Sequence, residues 1–187
     1  GKHFNVTRER IRQIESIALS KLRRTVRTTK LDEVNDLAKT VLRGSGGLMR
    51  EDLLITSVLK HIADAKDIDG AVLRLSYSID PDLHLGARSN DFVPFWRVES
   101  LSMDDVTLIV NSIVKILKKR KSCMSSDEIV SAIQSLNLFE SKVPSKELIG
   151  SCLTIDERFK QISDGWGLTE WRFVRPRSIR DKVDIIL

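Results

Sequence analysis

The sequence predicts a mainly α-helical chain with small β wings: one N-terminal helix with a long polar face, then two tandem units of three helices and a hairpin. Three observations predict it. Long polar side chains recur at helical spacing over residues 8–13, with aliphatic ones opposite. Beyond Lys30, matching residues return in order about 75 positions apart. Each stretch then closes on two apolar runs, the second pair split by the turn dipeptide Asp164-Gly165.

The first helix follows from spacing. At 100° per residue, Arg8, Glu9, Arg12 and Gln13 fall at about 0°, 100°, 40° and 140°, on one face. Ile11, Ile14 and Ala18 fall at about 300°, 240° and 280°, and Leu22 extends that stripe, which is expected to pack. Thr7 is the expected N-cap, its hydroxyl accepting from a first-turn N–H. The residue types suit the major groove: Arg donates twice to guanine, Gln pairs with adenine, and Glu accepts from cytosine. Thr7, Arg10, Lys21, Arg23 and Arg24 are the expected phosphate contacts, which position a protein without specifying sequence.

The string Gly1-Lys2-His3-Phe4-Asn5-Val6-Thr7-Arg8-Glu9-Arg10-Ile11-Arg12-Gln13-Ile14-Glu15, followed by Ala18-Leu19 and Lys21-Leu22-Arg23, resembles the fourth conserved region of primary bacterial RNA polymerase sigma factors. That family reads the upstream promoter element with a helix-turn-helix. By position, the resemblance implies base contacts from Arg8, Glu9, Arg12 and Gln13 and a backbone contact from Arg10. It covers about the first 24 residues. Ile17 and Ser20 stand where the family usually carries basic residues. The helix that precedes the turn in the family is expected upstream of Gly1.

The duplicated part reads as follows. Val41-Leu42 matches Ile116-Leu117, Met49 matches Met124, Asp52 matches Asp127, Leu73 matches Leu148, and Ser76 matches Ser151. Trp96-Arg97 is aligned with Trp171-Arg172. The first helices are expected at 33–42 and 104–119, where Val106, Ile109, Val110, Ile113, Ile116 and Leu117 form one stripe. Breaks follow at Gly44-Ser45-Gly46-Gly47 and Lys121-Ser122. Second helices are expected at 50–61 and 126–136, the latter capped by Ser125 or Ser126 with Glu128 as an N-terminal anion. Third helices fall at 68–78 and 145–154, and hairpins at 83–98 and 159–174.

Three helices and a hairpin make the winged-helix variant of the helix-turn-helix. The second unit, with Met124-Ser125-Ser126-Asp127-Glu128-Ile129 and Asp164-Gly165-Trp166-Gly167-Leu168-Thr169-Glu170-Trp171, resembles the HARE-HTH family. The first unit has Asn90-Asp91-Phe92-Val93-Pro94-Phe95-Trp96 in place of the Gly-Trp-Gly-Leu stretch. HARE-HTH modules occur in the delta subunit of bacterial RNA polymerase and in chromatin- and restriction-associated proteins, so the resemblance implies polymerase or DNA transactions. The expected segments are 1–30 (recognition helix), 31–101 and 102–174 (winged-helix units), and 175–187, a helical tail or the start of a further repeat.

Charge separates these segments. Residues 1–30 carry nine Lys/Arg against two Asp/Glu, net +7; residues 31–101 are net −4, residues 102–174 net 0, and 175–187 net +2. A DNA-binder's basic footprint is thus concentrated in the first segment. Lys118-Lys119-Arg120-Lys121 reads either as a solvated helix end or as a phosphate grip, and Trp96 and Trp171 either as hairpin anchors or as stacking platforms.

The rest excludes function classes. No apolar run approaches the roughly 20 residues of a membrane span. Gly44-Ser45-Gly46-Gly47 lacks the Lys-Ser/Thr ending of a phosphate loop and reads as a helix terminator. Asp80-Pro81-Asp82 reads as turn chemistry, and Cys123 and Cys152 as small hydrophobes. His3, His61 and His84 are scattered. No cofactor, metal, small-molecule substrate or enzymatic activity is expected. The expectation is a bacterial transcription protein of the cytoplasm and nucleoid, partnered by double-stranded DNA and the RNA polymerase core. The alternatives are a polymerase-bound interaction module without base reading, or an accessory DNA-binding protein of a restriction or defence system.

Overall fold

The computed structural model describes residues 6–26, 29–62, 68–86, 88–89, 91–136, 143–162 and 165–174. The expected tail at 175–187 lies outside them. The described residues form seven helices and five short strands: α1 (Arg8–Val26), α2 (Lys30–Gly44), β1 (Leu48–Arg50), α3 (Glu51–His61), α4 (Gly70–Ile79), β2 (Leu83–Gly86), β3 (Phe95–Val98), α5 (Met103–Arg120), α6 (Ser126–Gln134), α7 (Lys146–Ile155), β4 (Phe159–Ile162) and β5 (Gly165–Leu168).

Helix starts are set by side-chain caps. Thr7, Thr29, Asp69, Ser102, Ser125 and Ser145 each accept from a first-turn N–H of the helix they precede, and only α3 starts without one. At α6 the cap is Ser125, and the Glu128 carboxylate returns a bond to the Ser125 N–H, completing a capping box. The Ser125 backbone N–H does most to hold that carboxyl below its ordinary value, with the Arg120 guanidinium and the Ser125 side chain adding to it.

Two apolar clusters follow. One gathers Val34, Ala38 and Leu42 of α2 with Leu54, Val58, Leu73, Tyr77, Leu83, Trp96 and Val98. The other gathers the buried stripe of α5 with Ile129, Ile133, Ile149, Cys152, Leu153, Ile155, Phe159 and Leu168. Both are wrapped by the same order of elements, one helix, then two more, then a hairpin. In the first unit the strands run β1-β3-β2, all antiparallel. In the second, β4 pairs with β5, and a single bridge, Met124 to Trp166, replaces the first strand.

The register of the duplication needs correction at the hairpins. Met49 faces Trp96 across β1 and β3, whereas Met124 faces Trp166. The counterpart of Trp96 is therefore Trp166, not Trp171. Ile162 pairs with Gly165, so the second strand is Gly165–Leu168, and Trp171-Arg172-Phe173-Val174 is a turn. The cause is hairpin length: 86 is followed by strand again at 95, but 162 already at 165. A fixed 75-residue offset fits the first two helices of each unit, becomes 76 at the third, where Asp69 and Ser145 are the N-caps, and slips past that shortened loop.

The period of two in β1 and β3 joins the units. Met49, Trp96 and Val98 face the first core, while Leu48 and Phe95 enter the second. Along the same seam, the Ser151 hydroxyl donates to the Ser45 carbonyl at 2.9 Å, the Val93 N–H to Ile155 O at 2.9 Å, and the Glu157 N–H to Asp91 O at 2.7 Å. Gly46 (φ 79°) sits where a Cβ would fall on the Leu148 backbone. The glycine run thus does two things. It ends α2 through the Gly47 N–H to Leu42 O bond at 2.7 Å, and it lets α7 approach closely.

Candidate nucleic-acid interface

The four expected base-facing residues lie side by side on the solvent face of α1. Arg8, Glu9, Arg12 and Gln13 are all exposed. Two of them are engaged with each other: Arg12 donates Nε–H and Nη2–H to the two Glu9 oxygens at 3.1 and 3.0 Å. This bidentate pair lowers the Glu9 carboxyl and raises the Arg12 guanidinium from their ordinary values. Arg10 Nη1 donates to Gln13 Oε1 at 3.4 Å. Both contacts are open to water, so each partner exchanges readily for a base edge or phosphate oxygen. Thr7 caps the helix through the Arg10 N–H at 3.2 Å.

Of the expected phosphate contacts, Arg10, Lys21 and Arg24 stay exposed along α1. Arg23 is exposed as well, but its guanidinium is already engaged. Its Nε donates to Ile79 O at 3.0 Å, serving the carbonyl end of α4. Together with Val26, the one buried residue of α1, it fastens the helix to the first unit. Arg23 and Arg24 line a cleft of about 280 Å³ with Asp32, Lys39, Asp80 and Asp82. Lys39 lies 2.8 Å from Asp36, 3.2 Å from Asp80 and 3.7 Å from Asp82, and Asp80 accepts the Asp82 N–H at 2.9 Å. The Asp80-Pro81-Asp82 acids are therefore turn and ion-pair residues.

The aliphatic back of α1 departs from expectation. Ile14 and Ile17 are 50% and 55% exposed, Leu22 is exposed, and Ile11 is half-buried. Apart from half-buried Ile11 the stripe lies open to solvent, and the one buried residue of α1, Val26, is in its last turn.

The third helix of each unit, where a helix-turn-helix would place its reader, is occupied. On α4, Arg74 donates to both oxygens of Glu51 at 3.0 and 2.6 Å, and Glu51 also accepts the Trp96 indole N–H at 3.2 Å. The other outward positions, Ala71, Leu75 and Ser78, are uncharged. On α7, Leu148, Ile149, Cys152, Leu153 and Ile155 are buried between its own core and β1. The second unit repeats the indole anchor, since Trp166 Nε1–H donates to Ser126 Oγ at 3.2 Å. Glu51 and Ser126 each open the second helix of their unit. Sequence reasoning missed this pair; the spacing from Met49 and Met124 was a usable signal once the hairpin lengths were known to differ.

No helix among the described residues is long and apolar enough to cross a membrane. No solved structure matches the chain. Residues 1–24 match the family model described as Sigma-70, region 4, and that segment is thus similar to a sigma-type helix-turn-helix element, an element of DNA-binding, transcription proteins.

Proposed function

We propose that the protein is a DNA-binding transcription protein in which α1 reads promoter-type duplex DNA from the major groove. The observation that carries this reading is the shared exposed face of Arg8, Glu9, Arg12 and Gln13, lying within the segment similar to sigma region 4. Arg10, Lys21 and Arg24 supply phosphate contacts, and Thr7 offers its hydroxyl and the adjacent helix N-terminus. Residues 31–174 are two winged-helix units, the second of HARE-HTH type. What supports this is the order of one helix, then two more, then a hairpin. These units act as a rigid adaptor that binds the RNA polymerase core. Supporting that role, their third helices are covered or ion-paired and their charge is neutral to acidic, so base reading rests with α1. The reading is non-catalytic.

A second reading is favoured by the exposed Ile14 and Ile17. In it, α1 lays its aliphatic face on polymerase and its polar face stays in solvent. A gel shift with promoter-like and random duplexes beside a pull-down on core polymerase separates the two. Shift on promoter-like duplex lost with Arg12→Ala supports base reading. Polymerase retention without any shift, lost with Ile14→Asp, supports the second.

A further inference from the structure

We infer that the second unit carries a binding platform for single-stranded nucleic acid, built where the end of α5 meets the turn after β5. This platform is independent of α1 and of the proposed duplex reading. Trp171 and Phe173 stack with ring centroids 5.2 Å apart and planes 28° from parallel. Trp171 is half-buried against the core, so it is fixed, while Phe173 on top of it remains 45% exposed. Between them in sequence stands Arg172, exposed. A fixed, stacked and open ring is a surface on which an unpaired base can continue the stack, and every base has a π-face to offer.

The cations come from α5. Lys118 Nζ reaches Glu170 at 3.4 Å, bringing the last turn of α5 beside this turn. One turn further, Gly167 is packed so tightly that a Cβ would lie 2.7 Å from Cys123 Sγ and from Val174 Cγ2, and 3.4 Å from the Trp171 ring. Cys123, three residues past α5, thus lies against Gly167 beside the Trp171 ring. Lys119, Lys121 and Arg172 are exposed, and among the described residues no carboxylate pairs with them. Lys121 is also the one described non-glycine residue with positive φ, at 58°, closing α5 where glycine is the less strained choice. The exposed cations Lys119, Lys121 and Arg172 beside an open aromatic stack form a strip that can track a phosphate backbone. Duplex DNA is the poorer occupant, because its bases are already stacked on one another and present only edges and phosphates.

The test uses the full chain and an end-labelled oligothymidylate of about 16 nucleotides, the upper reach of one such platform, read by fluorescence anisotropy. An oligouridylate and a random duplex run alongside. Wild type is expected to bind both single strands. Phe173→Ala should weaken that binding roughly 5- to 100-fold, the loss of one stacked base, and leave duplex binding unchanged. Phe173→Trp should restore it. Replacing Lys119 and Lys121 together by Ala should flatten the log–log salt slope by about 1.4. Arg12→Ala should leave single-strand binding intact. Equal losses on single strand and duplex with Phe173→Ala would overturn the platform, as would single-strand binding that vanishes with Arg12→Ala or no single-strand binding at all. Unchanged thermal melting of Phe173→Ala, expected from its exposure, shows that the loss is not one of folding.

Discussion

Helices α1 and α7 stand at opposite extremes of this protein. The first is 19 residues long and buries one of them, Val26. The second is 10 residues long and buries five, clamped between the α5–α6 core and the β1 edge of the neighbouring unit. Their compositions match their placements. On α1, Arg8, Arg10, Arg12, Lys21, Arg23 and Arg24 leave little that water would reject except the aliphatic stripe. On α7 the sequence Leu148-Ile149-Gly150-Ser151-Cys152-Leu153 offers a nucleic acid almost nothing. The contrast teaches that what a helix can offer a partner is decided by what covers it, not by its length or by its place in the order of elements. Here the third helix of the second unit has become an internal seam, and the exposed cationic helix stands outside both units.

The sharpest way to break that contrast is to free α7. Gly46→Val adds a β-branched side chain at φ 79° and drives it into the Leu148 backbone. Backbone strain and overpacking together should cost at least about 2 kcal/mol, read as a lower urea midpoint. They should also open the seam to proteolysis around 99–102. Duplex binding through α1 should survive. If freeing α7 instead created new duplex binding, the division of labour drawn above would be wrong.

A smaller effect tests the burial of α7 without disturbing it. Desolvation pushes the Cys152 thiol up to about 12, with the Asp156 charge adding to it, against an ordinary value of 9.0. Between these values the unfolded chain releases this proton and the folded chain does not. The contribution of Cys152 is therefore fully present below about pH 9 and declines as pH rises toward 12. Wild type should lose stability faster than Cys152→Ala across that window, as followed by urea midpoints at a series of pH values. Parallel slopes would mean that the thiol meets water and that α7 is less covered than described.

On the other side of the contrast, Arg12→Ala should weaken binding to a promoter-like duplex roughly 5- to 100-fold while changing random duplex much less. The Glu9–Arg12 pair adds a prediction of its own. Because both side chains are solvent-exposed, Glu9→Ala should leave thermal stability unchanged. A large stability loss would show the pair to be structural and not a poised reading group.

Much of this was legible in the sequence, for identifiable reasons. The caps at Thr7 and Ser125 act through neighbouring residues, and local chemistry is readable from a string, whereas Asp164 of the expected turn lies outside the described residues. The α5 stripe was legible because 3.6-residue periodicity is sustained over 18 residues. What failed was long-range. The Trp96–Trp171 alignment assumed equal hairpins, and only the strand register shows that Trp166 is the partner of Met124. Arg23 looked like any other arginine of α1, but the Ile79 carbonyl lies 56 positions away in sequence. The packed underside of α1 was inferred from amphipathicity alone, which says that a face is apolar and not what covers it.

Arg23 and Lys21, two residues apart on α1, give the finest test. Lys21 is exposed and expected to meet phosphate, so Lys21→Ala should weaken every duplex alike and reduce the log–log salt slope by about 0.9, the release of one counterion. Arg23 holds α1 against α4, so Arg23→Ala should leave that slope unchanged. Instead, amide exchange in the last turn of α1 should quicken, because the Ile79 carbonyl loses its charged partner. Should Arg23→Ala shift the salt slope as Lys21→Ala does, its guanidinium leaves Ile79 for the DNA, and the joint between α1 and the first unit is one that opens on binding.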